Sequence, residues 1–95
     1  MVSPAIDRLV EEIGAHPQVS RVWLFGSRAR GDHRPRSDVD LAIEAPSADR
    51  RAWIALCDLA DEAETLLRID LVRLDEAPPE LADRIRREGM VLYER

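Results

Sequence analysis

The sequence predicts an α/β fold in which one layer of β-sheet is covered by helices. Segments with apolar residues at helical spacing alternate with short runs rich in β-branched and aromatic residues, and turn-forming residues separate the two kinds of segment. The 95 residues are enough for one small domain and too few for two, so we place a single domain at residues 1–95. The predicted elements follow in the order helix, strand, turn, strand, helix, strand, helix, strand.

The first half of the chain predicts one helix and two strands. Ser3 and the proline after it suit a helix N-cap and a first helical position, and this helix stops near Gly14. Residues 19–25 form the first predicted strand, which a Gly-Ser pair breaks. A helical turn at residues 28–30, a loop at 33–37 and a second strand at 39–45 complete this half.

The second half predicts two helices and two strands. A long helix is expected at residues 48–67, because Trp53, Leu56 and Ala60 belong to an apolar face with helical period. The remaining predicted elements are a strand at residues 69–74, a loop at 75–77, a short helix at 80–88 and a strand at 90–93.

Composition and charge exclude several classes of protein. The formal net charge of −5 argues against binding to nucleic acid in bulk or to acidic membrane surfaces. No apolar run approaches the ~20 residues of a membrane span, and the N-terminal segment has no signal-peptide core. Cys57 is the lone cysteine, so no disulfide framework is possible. We therefore expect a cytoplasmic protein that does not bind membranes.

The basic residues are unevenly distributed. All 14 are arginine, and Arg28, Arg30, Arg34 and Arg36 lie close together in one predicted loop region. A guanidinium group presents a planar fork that suits phosphate oxygens, so a dense arginine loop in an acidic protein indicates a small polyphosphate ligand. A genome rich in GC would also favour arginine codons, which explains the missing lysine but less easily the clustering.

Two aspartates at alternate positions indicate a metal site. Asp38 and Asp40 lie at the start of the second predicted strand, where residues two apart point to the same face. A divalent cation such as Mg²⁺ or Mn²⁺ would offset their repulsion. Asp70 is the candidate third ligand, because it is an acid inside an otherwise apolar strand. The alternation in residues 38–44 is also typical of any strand with one solvent-exposed face. The two aspartates alone therefore do not distinguish a metal site from an ordinary exposed strand.

The Gly26-Ser27 pair follows an apolar strand and opens a helical turn, which suits a phosphate. Glycine permits close approach to the backbone, and free N–H groups at the start of a helix attract anions. A P-loop is excluded, because Asp32 and His33 stand where that motif has Lys and Ser or Thr. The pair alone is a weak signal, since most such pairs are simply turns.

Taken in order, these features resemble a known superfamily. An apolar strand, Gly-Ser, an arginine loop, D-x-D on the next strand and a third aspartate on a later strand resemble the nucleotidyltransferases of the DNA polymerase β type. The stretch LFGSRARGDHRPRSDVDLAI, at residues 24–43, is especially similar to the minimal nucleotidyltransferases. The resemblance extends through Asp70 to the end of the chain. It implies a small mixed β-sheet flanked by helices, a reduced polymerase-β-like palm.

The resemblance also implies roles for individual residues. Asp38, Asp40 and Asp70 would be the catalytic residues and the metal ligands, with two Mg²⁺ ions expected and Mn²⁺ as a substitute. Gly26 and Ser27 would bind the β and γ phosphates of the nucleotide. To these we add, as nucleotide-binding residues on grounds of charge, Arg28 and Arg30, for which surface ion pairs are the alternative.

The activity implied is transfer of a nucleoside monophosphate, AMP from ATP, to a hydroxyl acceptor. Within the resemblance, such proteins pair with an all-helical partner of the HEPN or substrate-binding type, in toxin–antitoxin systems where the partner is adenylylated. We therefore expect a homo- or hetero-oligomer. Two alternatives stay open: a catalytically silent antitoxin or binding module that acts by contact, and a transferase that acts on a small molecule.

Overall fold

The computed structural model describes residues 3–95. Within this part of the chain, four helices and four strands follow one another. They are α1 (Pro4–Gly14), β1 (Arg21–Phe25), α2 (Ser27–Arg30), β2 (Val39–Glu44), α3 (Arg50–Asp61), β3 (Ile69–Arg73), a 3₁₀ turn at Leu74–Glu76, α4 (Pro79–Glu88) and β4 (Met90–Glu94).

The strands form one mixed sheet in the order β3-β2-β1-β4. β1 is antiparallel to both of its neighbours, β2 and β4, whereas β2 and β3 are parallel. A parallel pair needs a crossover connection, and α3 supplies it. The predicted α/β fold with a small mixed sheet is confirmed.

Helices pack on both faces of this sheet. α1 and α3 cover one face, and alternate residues of β1 and β2 point into the core beneath them. Its fully buried side chains include Ile6, Leu9, Ile13, Val22, Val39, Leu41, Ile43 and Leu56. α4 covers the other face through a smaller cluster of Trp23, Ala42, Leu74, Ala82 and Ile85. Asp40 lies two residues before Ala42 on β2, so the pleat places its side chain on this second face, outside the apolar cluster.

α3 is shorter than the helix predicted at residues 48–67. Asp49 caps its first turn, accepting a hydrogen bond from the backbone N–H of the third residue after it. After the helix ends, the N–H of Leu67 donates to Oγ1 of Thr65 at 3.1 Å. The prediction was wrong about the length because Ala63 and Leu67 still pack against the core, so apolar spacing continues beyond the helix.

The other predicted elements agree with the structure to within two residues. The exception is the 3₁₀ turn Leu74–Glu76, which takes the last residue of the predicted third strand and most of the predicted loop. Ser3 caps α1 as expected, since its Oγ accepts a hydrogen bond from the N–H of Ile6 at 3.2 Å. None of the helices described in residues 3–95 is long and apolar enough to cross a membrane.

Candidate active site

The three predicted carboxylates lie at the same end of two neighbouring strands. Asp38 immediately precedes β2, Asp40 is the second residue of β2, and Asp70 is the second residue of β3. The parallel register pairs Asp40 with Asp70. Paired residues of adjacent strands point to the same face of a sheet, so these two carboxylates stand side by side.

The surroundings of Asp40 disfavour its negative charge. Burial raises the pKa of Asp40 above its ordinary value of 3.8, and the charges of Asp70 and Asp38 raise it further, while the charge of Arg30 lowers it. Burial is the largest of these causes. The two other carboxylates and one arginine therefore act electrostatically on Asp40, as the predicted site requires.

Gly26 adopts a backbone conformation that suits only glycine. It follows Phe25, the register partner of Asp40 in β1. Its φ is 76° and its ψ is −154°, a region that residues with a side chain rarely adopt. A Cβ atom here would overlap Oδ2 of Asp40 and lie 3.3 Å from its Cγ. The missing side chain is what allows this turn to lie against Asp40.

Ser27 opens α2, a single helical turn directly after Gly26. The carbonyl of Gly26 accepts from the N–H of Arg30 at 3.1 Å, and that of Ser27 accepts from the N–H of Gly31 at 2.9 Å. Gly31 then ends the turn in the left-handed conformation, with φ 85°. The predicted break after the first strand and the predicted helical turn are both present, and they place Ser27 at the same end of the sheet as the carboxylates.

The two arginines of α2 have different partners. Arg28 donates to the backbone carbonyls of Pro35 and Ser37. Arg30 is exposed and pairs through Nε with Oδ2 of Asp32 at 3.3 Å. The surface ion pair considered as an alternative is present for Arg30, and Arg28 contacts main-chain oxygens instead. Phosphate binding by either residue stays a prediction.

Arg68 is a site residue that sequence reasoning missed. Its Nε donates to Oδ1 of Asp70 at 3.3 Å, and the two side chains are 75% and 39% exposed. The available signal was spacing, since Arg68 precedes Asp70 by two positions and so lies on the same face of an extended segment. Arg68 therefore gives one of the two oxygens of Asp70 a cationic partner.

The donor set suits a divalent cation in its chemistry, and two of the three carboxylates share one face of the sheet. All three residues offer carboxylate oxygens, which Mg²⁺ and Mn²⁺ prefer. Asp40 and Asp70 share one face, and Gly26 leaves the surface beside Asp40 free of a side chain. As the side chains lie, no three acidic, histidine or cysteine groups in residues 3–95 stand close enough to enclose an ion. Arg68 holds one oxygen of Asp70, and the side chain of Asp38 is exposed.

Comparison with known proteins identifies the family to which the chain belongs. Residues 7–95 match the family described as Polymerase beta, Nucleotidyltransferase. The chain belongs to this family of nucleotidyltransferases. Members of the family generally use divalent metal ions.

Among individual proteins, the chain is similar to the protein adenylyltransferase MntA of Shewanella oneidensis, with 33% identity over 79 residues. The match covers 81% of this chain and 55% of the relative, so the chain spans little more than half the length of that protein.

Two solved structures share the fold. A toxin–antitoxin complex with AMP-PNP superimposes with a TM-score of 0.71 at 28% identity, covering 96% of this chain and 72% of the other. A tri-AMPylated HEPN toxin of Shewanella oneidensis in complex with an MNT antitoxin gives a TM-score of 0.62 at 26% identity, covering 95% of this chain and 67% of the other. The resemblance inferred from the Gly-Ser and D-x-D motifs is confirmed.

Proposed function

We propose that this chain is a protein adenylyltransferase that moves AMP from ATP to a hydroxyl of an all-helical HEPN partner, and so acts as the antitoxin of a pair. The observation that carries the proposal is the register of Asp40 with Asp70 beside the Gly26 turn. Two adjacent carboxylates next to a side-chain-free turn suit a nucleotide whose phosphates lie on the turn and whose reacting phosphorus lies near the carboxylates.

Each residue of the site has a proposed part in the transfer. The backbone at Gly26 and Ser27 binds the β and γ phosphates, and Arg30 adds positive charge beside them. Asp38, Asp40 and Asp70 would hold two Mg²⁺ ions, or Mn²⁺ in their place, which supply the charge that stabilises the triphosphate and the leaving pyrophosphate.

The reaction itself is a displacement at the α-phosphorus. The acceptor oxygen forms a bond to this phosphorus, and the bond to pyrophosphate breaks. Asp70 helps to activate the acceptor hydroxyl for this attack by accepting its proton, while pyrophosphate leaves with the electrons of the broken bond. Positioning and charge stabilisation do most of the work, so a short chain suffices.

The acceptor is proposed to approach from the side of Asp70. An open groove of about 400 Å³ lies between the end of α3 and the start of β3, with Asp70 at its border. The residues that line it are Ala60, Asp61, Ala63, Thr65, Leu67, Arg68, Ile69 and Asp70. Asp40 and Gly26 lie on the β1 side of Asp70, so an acceptor that enters at the outer edge of β3 meets Asp70 before it meets Asp40.

The relatives support the choice of donor and acceptor. One similar protein is a protein adenylyltransferase, and the two similar structures include AMP-PNP in one case and an AMPylated HEPN toxin bound to an MNT antitoxin in the other. A hetero-oligomer with the helical partner follows from this proposal.

Intact-mass spectrometry tests the proposed function. The chain is incubated with the all-helical HEPN protein proposed as its partner, with Mg²⁺ and with each nucleoside triphosphate in turn, and both proteins are weighed. We expect the partner to gain the mass of one or more adenylates with ATP, and no gain with the Asp38→Asn variant.

Other outcomes would redirect the proposal. No gain with any triphosphate, in a complex that nevertheless forms, would refute transfer to protein and favour a binding module that acts by contact. Release of pyrophosphate only after a small hydroxyl compound is added would favour a small-molecule acceptor.

A further inference from the structure

We propose that Arg28 is a positioning residue, which fixes the main chain before Asp38 and thereby the direction of this carboxylate. The inference rests on the proposed function, since it concerns the proposed metal ligands. It differs from the charge-based expectation that Arg28 binds phosphate directly. The basis is the set of partners that the guanidinium group contacts.

Arg28 reaches across from α2 to the loop that precedes β2. Its Nη2 donates to the carbonyl oxygen of Ser37 at 2.9 Å and to that of Pro35 at 3.2 Å, and its Nε donates to Ser37 at 3.2 Å. The forked group thus grips one carbonyl with two nitrogens and a second carbonyl with one of them. Only a planar guanidinium offers donors in this arrangement.

The carbonyl of Ser37 belongs to the peptide bond that leads into Asp38. The peptide is planar, so fixing its oxygen also fixes the direction in which the next residue leaves the loop. On the other side of Asp38, the N–H of Val39 donates to the carbonyl of Arg68 at 2.9 Å. The backbone of Asp38 is therefore anchored on both sides, to α2 through Arg28 and to the chain entering β3.

Asp38 depends on these anchors because its side chain is exposed. Packing does not hold an exposed carboxylate, so its backbone decides where it points. The loop also has an internal turn, in which the N–H of Arg34 donates to Oγ of Ser37 at 2.8 Å and the N–H of Ser37 donates to the carbonyl of Arg34 at 3.0 Å. Arg28 ties this turn to α2.

The contact joins the two halves of the proposed site. Arg28 follows Gly26 and Ser27, the proposed phosphate-binding turn, by one residue. Its side chain connects that turn to the segment carrying Asp38. Groups that orient metal ligands from behind are worth roughly 10–100-fold in metal affinity when they are removed.

The test compares Arg28→Lys, Arg28→Ala and Ser37→Ala with the wild type. Lysine keeps the positive charge and loses the fork, whereas Ser37→Ala loosens the same turn without changing any charge. Arg84→Ala, which removes an exposed arginine of α4, is the control. Circular dichroism and thermal unfolding establish that each variant folds. If Arg28→Ala does not fold, Arg28→Lys and Ser37→Ala still test the proposal.

Two measurements report on position rather than on turnover. Mn²⁺ affinity is measured by calorimetry in the absence of nucleotide and acceptor, and amide exchange is followed over residues 34–39. We expect both Arg28 variants to bind Mn²⁺ roughly 10–100-fold more weakly and to exchange these amides faster. Ser37→Ala should change both quantities in the same direction by a smaller factor, and Arg84→Ala should change neither.

Three results would overturn the proposal. Unchanged Mn²⁺ affinity in Arg28→Ala would remove the positioning role, and so would a wild type that does not bind Mn²⁺. If Arg28→Lys binds Mn²⁺ as tightly as the wild type while Arg28→Ala binds AMP-PNP more weakly, the results would indicate that Arg28 binds phosphate directly. A wild type that binds Mn²⁺ with the expected differences among variants, yet transfers no nucleotide, would refute the proposed function and leave this inference standing.

Discussion

Asp40 and Asp70 are register partners on adjacent parallel strands, and the pKa of Asp40 is raised first by burial and then by the charge of Asp70. Two carboxylates held this close repel each other, so the folded state contains a charge that lowers its own stability. Such a charge is typical of a functional site, where a bound cation rather than the protein balances it.

Replacing Asp40 with asparagine is expected to stabilise the fold and abolish transfer. The native state binds a proton at Asp40 more tightly than the unfolded chain does, because the pKa is raised in the native state. Between the ordinary value of 3.8 and the raised value, the native state therefore holds more protons, and the stability contributed by this group falls as the pH rises. Asparagine does not titrate, so the variant does not lose this stability as the pH rises.

Thermal unfolding in EDTA, measured from pH 3 to pH 7, checks this expectation. Asp40→Asn should melt above the wild type at neutral pH, and the difference should vanish below the ordinary pKa of an aspartate. A variant that melts below the wild type at neutral pH would contradict the electrostatic account of Asp40. Asp83→Asn, in an exposed residue of α4, gives the effect of losing one charge elsewhere.

Asp38→Asn is expected to separate catalysis from folding. The carboxylate is exposed and follows a loop, so its loss should leave the free energy of unfolding within about 0.5 kcal/mol of the wild type. As a proposed metal ligand, it should cost about 100-fold or more in transfer rate. The rate of partner labelling and urea unfolding measure the two effects, and size-exclusion chromatography measures partner binding, which should persist. Labelling at the wild-type rate would show that the metal-site assignment is wrong.

Gly26→Ala is expected to damage the fold and the site together. The conformation of Gly26 costs other residues about 1–3 kcal/mol, and the new Cβ would also displace the carboxylate of Asp40. Gly31→Ala is a matched control, because Gly31 also has a positive φ but a Cβ there would meet nothing within 4 Å. It should cost about 1–2 kcal/mol from backbone strain alone.

Urea unfolding and Mn²⁺ titration distinguish the two glycine variants. Gly26→Ala should lose more stability than Gly31→Ala and should bind Mn²⁺ more weakly, since only the first substitution moves Asp40. Equal Mn²⁺ affinity in the two variants would mean that Gly26 serves the turn and not the carboxylate.

The sequence predicted the elements of the fold well, because periodicity and caps act over a few residues. The sequence did not predict the order of the strands in the sheet. The alternation of apolar and polar residues along a strand does not indicate which strand it pairs with. Asp70 was predicted as the third ligand from its place in an apolar strand, and the resemblance to nucleotidyltransferases supported this, but neither predicted its pairing with Asp40. The parallel register of β2 and β3 in the structure shows this pairing, which local sequence patterns do not contain.

The parts that escaped prediction depend on loop conformation. Arg28 was assigned to phosphate on charge alone, but its observed partners are main-chain oxygens, which every residue carries. No residue type in the loop therefore signals the contact. The end of α3 was predicted wrongly for a related reason. Leu67 packs against the core without being helical, so the apolar spacing continues past the last residue of the helix.

Arg73→Ala is expected to be much more destabilising than Arg68→Ala, although both arginines lie next to an aspartate on or beside β3. The side chain of Arg73 is 12% exposed. It donates to the carbonyls of Ala45 and Ala48 at 3.0 Å and 2.6 Å, and to Oδ2 of Asp75 at 2.9 Å. Removing it takes the donor from the carbonyl of Ala48 and from Oδ2 of Asp75, and one of two donors from the carbonyl of Ala45, in a part-buried position, at a cost of about 3 kcal/mol.

Arg68 is 75% exposed, so water screens its pair with Asp70 and the loss should be at most about 1 kcal/mol. Urea unfolding of both variants at neutral pH measures the contrast, and Asp75→Ala should reproduce much of the Arg73 effect because Oδ1 of Asp75 also accepts from the N–H of Ala45. Equal losses for the Arg73 and Arg68 variants would contradict this account. The contrast matters for the site because the side chain of Arg73 joins the loop after β2 to the end of β3. These are the two strands that carry Asp40 and Asp70, whereas the side chain of Arg68 contacts only the carboxylate of Asp70.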